Sequence, residues 1–203
     1  MKLFYSPGAC SMTPHIILRE AHYDQFDLVR VDIPSKKTAE GRDYWKVNWA
    51  GYVPTLETDD GHFLTEASVI AQYLADQKPD SGLAPMLGTM ERYHLMSWLN
   101  FIAAEVHKQI GALFNPKLTG ECREIQLGVI TRRLDSLEKM IAGRDYVAGK
   151  HFTIADAYLF NMINWTGIHK IDLAPWPNIR AHHERIRARP KVQETMKVEG
   201  LIK

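Results

Sequence analysis

Cys10 closes the run Tyr5-Ser6-Pro7-Gly8-Ala9 and precedes an apolar-periodic segment containing His15, Ile16, Ile17 and Leu18. Pro7 and Gly8 force a turn, so the thiol stands where a strand ends and a helix begins. The first N–H groups of a helix lack intrahelical acceptors and carry partial positive charge. A thiol among them is tilted towards thiolate, and a bound anion is stabilised. A cysteine is often no more than a small buried hydrophobe, but the turn argues against that here. The spacing predicts an anion-binding corner with Cys10 as its functional sulfur.

Three further constellations could do chemistry. Val53-Pro54 opens a strand with a residue that cannot donate to a ladder, which suits a cis bond or a strand end left open, where a peptide-like ligand pairs antiparallel with the Val53 main chain. Glu66-Ala67-Ser68 offers a carboxylate for an ammonium beside helix N-terminal N–H groups and a hydroxyl for a carboxylate, together the zwitterionic end of an amino acid. Taken alone, Glu66 and Ser68 read as ordinary capping residues. Asn100, Ala103, Ala104 and His107 recur at helical spacing on one face, a shallow polar groove for a sulfur-bearing ligand with a proton carrier near neutral pH. A solvated surface histidine is the plainer account of His107.

The elements that must position these groups follow from periodicity. Leu3 to Tyr5 reads as a strand, His15 to Ala21 as a helix, Phe26 to Val31 as a strand and Ser35 to Trp45 as a short helix. Val53 to Glu57 and His62 to Thr65 form a hairpin around Asp59-Asp60-Gly61, and a helix follows from Glu66. The order is β-α-β-α-β-β-α over residues 1–80. Pro79, Asp80, Ser81, Gly82 and Pro85 then break the pattern and mark a linker between Lys78 and Leu87. Residues 87–203 read as a second, all-helical domain: Thr89 to about Leu113, Thr119 to Ile141, a helix from Thr153 with Thr153-Ile154-Ala155-Asp156 as its capping box, and Pro177 to Ile186 ended by Pro190.

The 203 residues are 45% apolar, with 25 basic and 24 acidic side chains and a net charge of +1. That length fills one large or two small cores. The balance gives no electrostatic footprint for nucleic acid and no polybasic run for a lipid surface. Cys10 and Cys122 make neither a disulfide framework nor a metal cluster and suit a reducing compartment. Neither a secretory leader nor an apolar run of membrane-spanning length is read, and the expected location is cytoplasmic.

Over essentially its full length the chain resembles the bacterial beta-class glutathione S-transferases. The resemblance is carried by Tyr5-Ser6-Pro7-Gly8-Ala9-Cys10-Ser11, Val53-Pro54, the Thr65-to-Leu74 helix start, Trp98-Leu99-Asn100 with Glu105-Val106-His107-Lys108, and Phe152-to-Tyr158. It implies a thioredoxin-like first domain, an all-helical second domain contributing the electrophile pocket, and a homodimer. It also implies a detoxifying transferase that moves alkyl or aryl groups onto glutathione sulfur, with no cofactor beyond glutathione as co-substrate. Carried over by position, Cys10 and His107 are the catalytic pair, Cys10 facing the glutathione sulfur. Val53 holds the cysteinyl main chain and Lys36 the glycyl carboxylate. Glu66, Ala67 and Ser68 hold the γ-glutamyl end, and Asn100, Ala104, Glu105, Val106 and His107 come from the helical domain. Trp165 lines the electrophile pocket with Tyr5, which matches the tyrosine that activates glutathione in other classes and is secondary beside Cys10. Ala67 departs from the usual serine or glycine; a main-chain contact survives that change.

Two other functions stay open on the sequence. One is a glutathione-dependent thiol-disulfide oxidoreductase in which Cys10 cycles through a mixed disulfide and, lacking a nearby second cysteine, needs glutathione to resolve it. The other is a non-catalytic member of the fold that binds a protein partner.

Overall fold

The computed structural model describes residues 1–203. The chain divides into two compact units, one of residues 1–84 together with 189–203 and the other of residues 85–188. The first unit therefore takes back a C-terminal segment that the sequence places with the helical domain. That segment is a missed helix. Pro190 looks like a stop after the preceding helix, yet a proline fits the first helical position, where its absent N–H is not needed.

In the first unit, β1 (Lys2–Tyr5) is central to a five-stranded sheet. It runs parallel to β2 (Asp27–Asp32) and antiparallel to β4 (Thr55–Glu57). The edges are β3 (Lys37–Thr38) and β5 (Phe63–Thr65), each antiparallel to its neighbour. Helices α1 (Met12–Glu20), α2 (Ala67–Asp76) and α8 (Pro190–Val198) complete the unit, α1 packing against both others. Leu3 and Phe4 are both buried although adjacent strand residues face opposite ways, so both faces of β1 are covered. Phe4 joins Val31, Tyr44, Val47 and Val53 in one cluster. The thioredoxin-like arrangement stands, but the helix expected over Ser35 to Trp45 shrinks to one 3₁₀ turn at Tyr44–Lys46 after the two-residue β3. Asp43 caps that turn, accepting from the Trp45 N–H at 3.1 Å.

The second unit is helical: α3 (Met90–Phe101), α4 (Lys108–Gly111), α5 (Gly120–Met140), α6 (Ile154–Ile168) and α7 (Pro177–Arg187). The helix expected from Thr89 to Leu113 is not uniform. A π-helical segment, Ile102–His107, joins α3 to α4, and a 3₁₀ turn at Ala112–Phe114 ends the run. Helix α6 is buried around almost its whole circumference, which makes it the axis of this unit. Its start is fastened as the capping motif foretells: the Asp156 carboxylate accepts from the Thr153 N–H and hydroxyl, both at 2.9 Å. The same carboxylate also accepts from the Val147 N–H at 2.8 Å and meets His182 Nε2 at 2.9 Å. No helix is long and apolar enough to cross a membrane.

Candidate glutathione site

The loop ahead of β4 brings Val53 to Cys10. Tyr44, fully buried, donates its hydroxyl to the Tyr52 carbonyl at 2.9 Å and bonds the Thr55 hydroxyl at 2.8 Å. Asn48 donates to the same Tyr52 carbonyl at 2.7 Å. Held from both sides, the segment delivers the cis Val53-Pro54 bond to the front of the sheet. Val53 precedes β4 and belongs to neither of its ladders. Its carbonyl accepts from Cys10 Sγ at 3.0 Å, so the thiol and the unladdered main chain form one corner.

Several amides of the corner have acceptors within the chain. Cys10 stands two residues ahead of α1, and the Met12 and Thr13 N–H groups close turns onto the carbonyls of Ala9 (3.0 Å) and Cys10 (3.2 Å). The Ala9 N–H goes to Ser6, the Ser6 N–H to the Ser11 hydroxyl, and the Gly8 N–H to the Glu199 carboxylate. Tight winding thus spends the Ser6, Gly8, Ala9, Met12 and Thr13 donors inside the chain. The thiol itself is half-buried and reduced.

Lys36 adopts left-handed backbone, φ 55°, and its ammonium donates to the Gly51 carbonyl at 2.7 Å. It also lies 5.7 Å from the Trp45 ring centre and 5.4 Å from that of Tyr52. Gly51 is required there: at φ +66° a Cβ would meet the Trp45 ring at 2.7 Å. Glu66 is the second strained position, at φ 68°. It heads α2 without a side-chain capping bond, which corrects the reading of Glu66 as an ordinary cap. An exposed carboxylate thus sits beside N–H groups that no helical carbonyl can reach, with Ala67 buried and Ser68 half-buried. Two of the four non-glycine residues with positive φ are Lys36 and Glu66, and such strain gathers at ligand sites. Tyr5 is half-buried at the end of β1, with its ring edge-on to His15 at 6.1 Å.

In the helical unit, Asn100 and Ala104 are exposed, whereas Val106 is buried in the core and its side chain is excluded from ligand contact. The Glu105 carboxylate is engaged by the Arg133 guanidinium, so it is not waiting for a ligand. His107 Nδ1 is 2.7 Å from the Tyr158 hydroxyl, and its ring packs edge-on to Trp165 at 5.1 Å. Burial, helped by the charge of Lys108, pushes the His107 pKa down to about 4. The expectation of a proton carrier near neutral pH is overturned: the ring is neutral there, a hydrogen-bonding group and not a cation. Trp165, itself buried, meets Phe114 at 5.0 Å, and Phe114 meets His169 at 4.4 Å. Gly111 lies against Trp165, where any Cβ would come within 3.4 Å. Phe114, Gly111, Trp45 and Tyr52 were not marked as site residues by the sequence; a glycine or an aromatic outside a motif carries no signal until the fold places it.

The thiol, the unladdered main chain and the strained lysine and glutamate thus lie in one thioredoxin-like unit. Residues 3–82 match the family model of the glutathione S-transferase N-terminal domain, and residues 101–190 that of the C-terminal domain. Glutathione S-transferase GstA of Escherichia coli O157:H7 is 42% identical over 99% of this chain and 100% of its own length. A beta-class enzyme from Sphingomonas chungbukensis superposes with a TM-score of 0.96 at 44% identity, and a sphingomonad enzyme solved in complex with glutathione with a TM-score of 0.95 at 44%, each covering 100% of both chains. The chain belongs to the glutathione S-transferase family, in its bacterial beta class.

Proposed function

We propose that the protein conjugates glutathione to small apolar electrophiles, the glutathione thiolate displacing a leaving group from carbon. The observation that carries this reading is the corner itself, a thiol 3.0 Å from the carbonyl of a residue outside both β4 ladders. Val53 gives the cysteinyl part of the tripeptide an antiparallel partner. Lys36 takes the glycyl carboxylate, and its two flanking rings keep the ammonium in place. Glu66 takes the γ-glutamyl ammonium, while the Ala67 and Ser68 N–H groups and the Ser68 hydroxyl take its carboxylate. Asn100 and Ala104 remain assigned to glutathione by family resemblance. The cluster of Trp165, Phe114 and His107 is the apolar surface offered to the electrophile. His107, bonded through Nδ1 to the Tyr158 hydroxyl, is a neutral hydrogen-bonding group beside that surface.

The test is calorimetric titration with glutathione followed by turnover of an activated aryl chloride. Saturable binding and turnover support the reading, and a protein that binds no glutathione refutes it. A second reading, glutathione-dependent thiol exchange, draws on the half-buried, reduced thiol of Cys10.

A homodimer is part of the proposal. It is supported by the exposed Trp49 and Tyr52 of the first unit, and by Met90, Tyr93 and Met96 along α3 of the second. Sedimentation equilibrium checks it: twice the chain mass is expected, and a monomer at micromolar concentration rules it out. A cytoplasmic location is in keeping with two reduced cysteines.

A further inference from the structure

Behind the Val53 segment, the buried side chains of Tyr44, Asn48 and Thr55 close a hydrogen-bonded ring with the Tyr52 carbonyl, and every proton in it can be placed. The Ala50 N–H donates to Asn48 Oδ1 at 2.9 Å, which turns the amide nitrogen of Asn48 into the ring. That nitrogen donates to the Tyr52 carbonyl at 2.7 Å and to the Thr55 hydroxyl oxygen at 3.1 Å. A carbonyl can only accept, so the single proton of Tyr44 goes to Tyr52 at 2.9 Å, and Thr55 sends its own to the Tyr44 oxygen at 2.8 Å.

Tyr44 also reaches out of this ring. Its main-chain N–H donates to the Lys36 carbonyl at 2.8 Å, and the neighbouring Lys37 and Asp43 form a bridge. Its aromatic ring lies 5.8 Å from that of Phe4, in the cluster with Val31 and Val47, so packing holds the ring and the hydroxyl is a strut against Tyr52. The Lys36 ammonium rests on the carbonyl of Gly51, one residue ahead of the same Tyr52. One residue thus ties Lys36 through its backbone to the Val53 segment through its hydroxyl. We infer that Tyr44 is a positioning residue that fixes the spacing between Lys36 and Val53, and so makes the site select a γ-glutamylcysteinyl peptide extended by glycine. The inference deepens the proposed function and rests on its placing of the glycyl carboxylate at Lys36. A ligand that touches both points gains from a fixed spacing, because its second contact needs little further ordering, whereas one that touches only Val53 gains nothing.

Calorimetric titration with three thiols tests this: glutathione, γ-glutamylcysteine, which lacks the glycyl carboxylate, and γ-glutamylcysteinyl-β-alanine, longer by one methylene. Tyr44→Phe keeps the packed ring and removes the hydroxyl. In it the Kd for glutathione rises roughly fivefold, the worth of one ordinary hydrogen bond, while that for γ-glutamylcysteine stays within about twofold of wild type. The wild-type protein binds the β-alanine peptide roughly tenfold more weakly than glutathione, and Tyr44→Phe narrows that gap. In a Lys36→Met background, Tyr44→Phe adds less than about twofold to the Kd for glutathione, because only one of the two points remains. A general loosening of the sheet would instead weaken both natural thiols alike and carry over undiminished into Lys36→Met. Equal losses for glutathione and γ-glutamylcysteine, or unchanged glutathione binding in Tyr44→Phe, overturn the inference. Should Tyr44→Phe not fold, the wild-type protein decides: weaker binding of the β-alanine peptide supports a fixed spacing, and binding as tight as that of glutathione removes it. A protein that binds none of the three thiols refutes the glutathione reading itself, whereas indifference to the third residue refutes only the inference.

Discussion

At Cys10 the structure supplies a thiol that donates to the Val53 carbonyl. The bonds broken and made in conjugation belong to glutathione sulfur and the electrophile, so the protein thiol is a neighbour of that chemistry; in thiol exchange it is itself the nucleophile. Cys10→Ala is therefore expected to abolish reduction of a glutathione mixed disulfide and to leave aryl chloride conjugation within about fivefold of wild type. Parallel assays of the two reactions check this, and equal loss of both would make Cys10 essential to conjugation. His107 gives a second expectation. With its pKa pushed down to about 4 by burial, its ring stays neutral throughout the working range. The pH profile of kcat/KM should show no imidazole step between about pH 5.5 and 8. A limb near pH 6.5 that disappears in His107→Asn would contradict it. That Cys10 stands at a turn ahead of a helix was legible from Pro7-Gly8, because a turn is a local decision. The fate of its neighbouring amides was not, because Glu199 closes on Gly8 from the other end of the chain.

Among the elements, α6 shows how far local chemistry reaches. Thr153 and Asp156 lie three residues apart, and one pair of side chains announces the helix start. The same carboxylate's bonds to Val147 and His182 join a loop and α7, and nothing in the spacing could reveal them. Asp156 is fully buried and answers every one of these donors, so Asp156→Ala leaves two N–H groups, a hydroxyl and an imidazole without their acceptor. The expected loss is about 3–5 kcal/mol, measurable as a lower midpoint in urea with unchanged slope. A loss below about 1 kcal/mol would mean that water replaces the carboxylate. The π-helical segment was illegible for a different reason. Ile102, Val106 and Ile110 repeat every four residues as in an ordinary helix, and it is the packing of His107 onto Tyr158 and Trp165 that accompanies the wider turn. The strands of the hairpin were legible because Asp60-Gly61 fixes the turn.

For the molecule as a whole, the division into a sheet-bearing and a helical unit followed from the change in periodicity after Lys78, whereas the return of residues 189–203 to the first unit depended on partners such as Glu20, too distant in sequence to be read. Stability against acid is likewise a property of the whole chain, and here its sign can be derived. His107 and His183 both titrate at about 4 when folded, through burial first and neighbouring positive charge second, against an ordinary histidine value near 6.5 in the unfolded chain. Between those values the unfolded chain binds the extra protons, so stability is fully present above about pH 6.5 and declines as the pH falls towards 4. Each histidine withdraws on the order of 2 kcal/mol by pH 5. The carboxylates held low, Asp32 and Asp60 by bonds from Ser35 and Thr58 and Glu194 by Lys191, lie at the surface and act in the same sense only at lower pH. His183 is the cleaner probe, since it stacks on Phe160 at 4.9 Å and bonds Asn164 without belonging to the proposed site. Melting followed from pH 7.5 to 5 should show a Tm that falls by several degrees in the wild-type protein and by clearly less in His183→Asn, with the two curves lying parallel above pH 7. Curves parallel over the entire range would show that His183 accepts its proton in the folded state as readily as in the unfolded one.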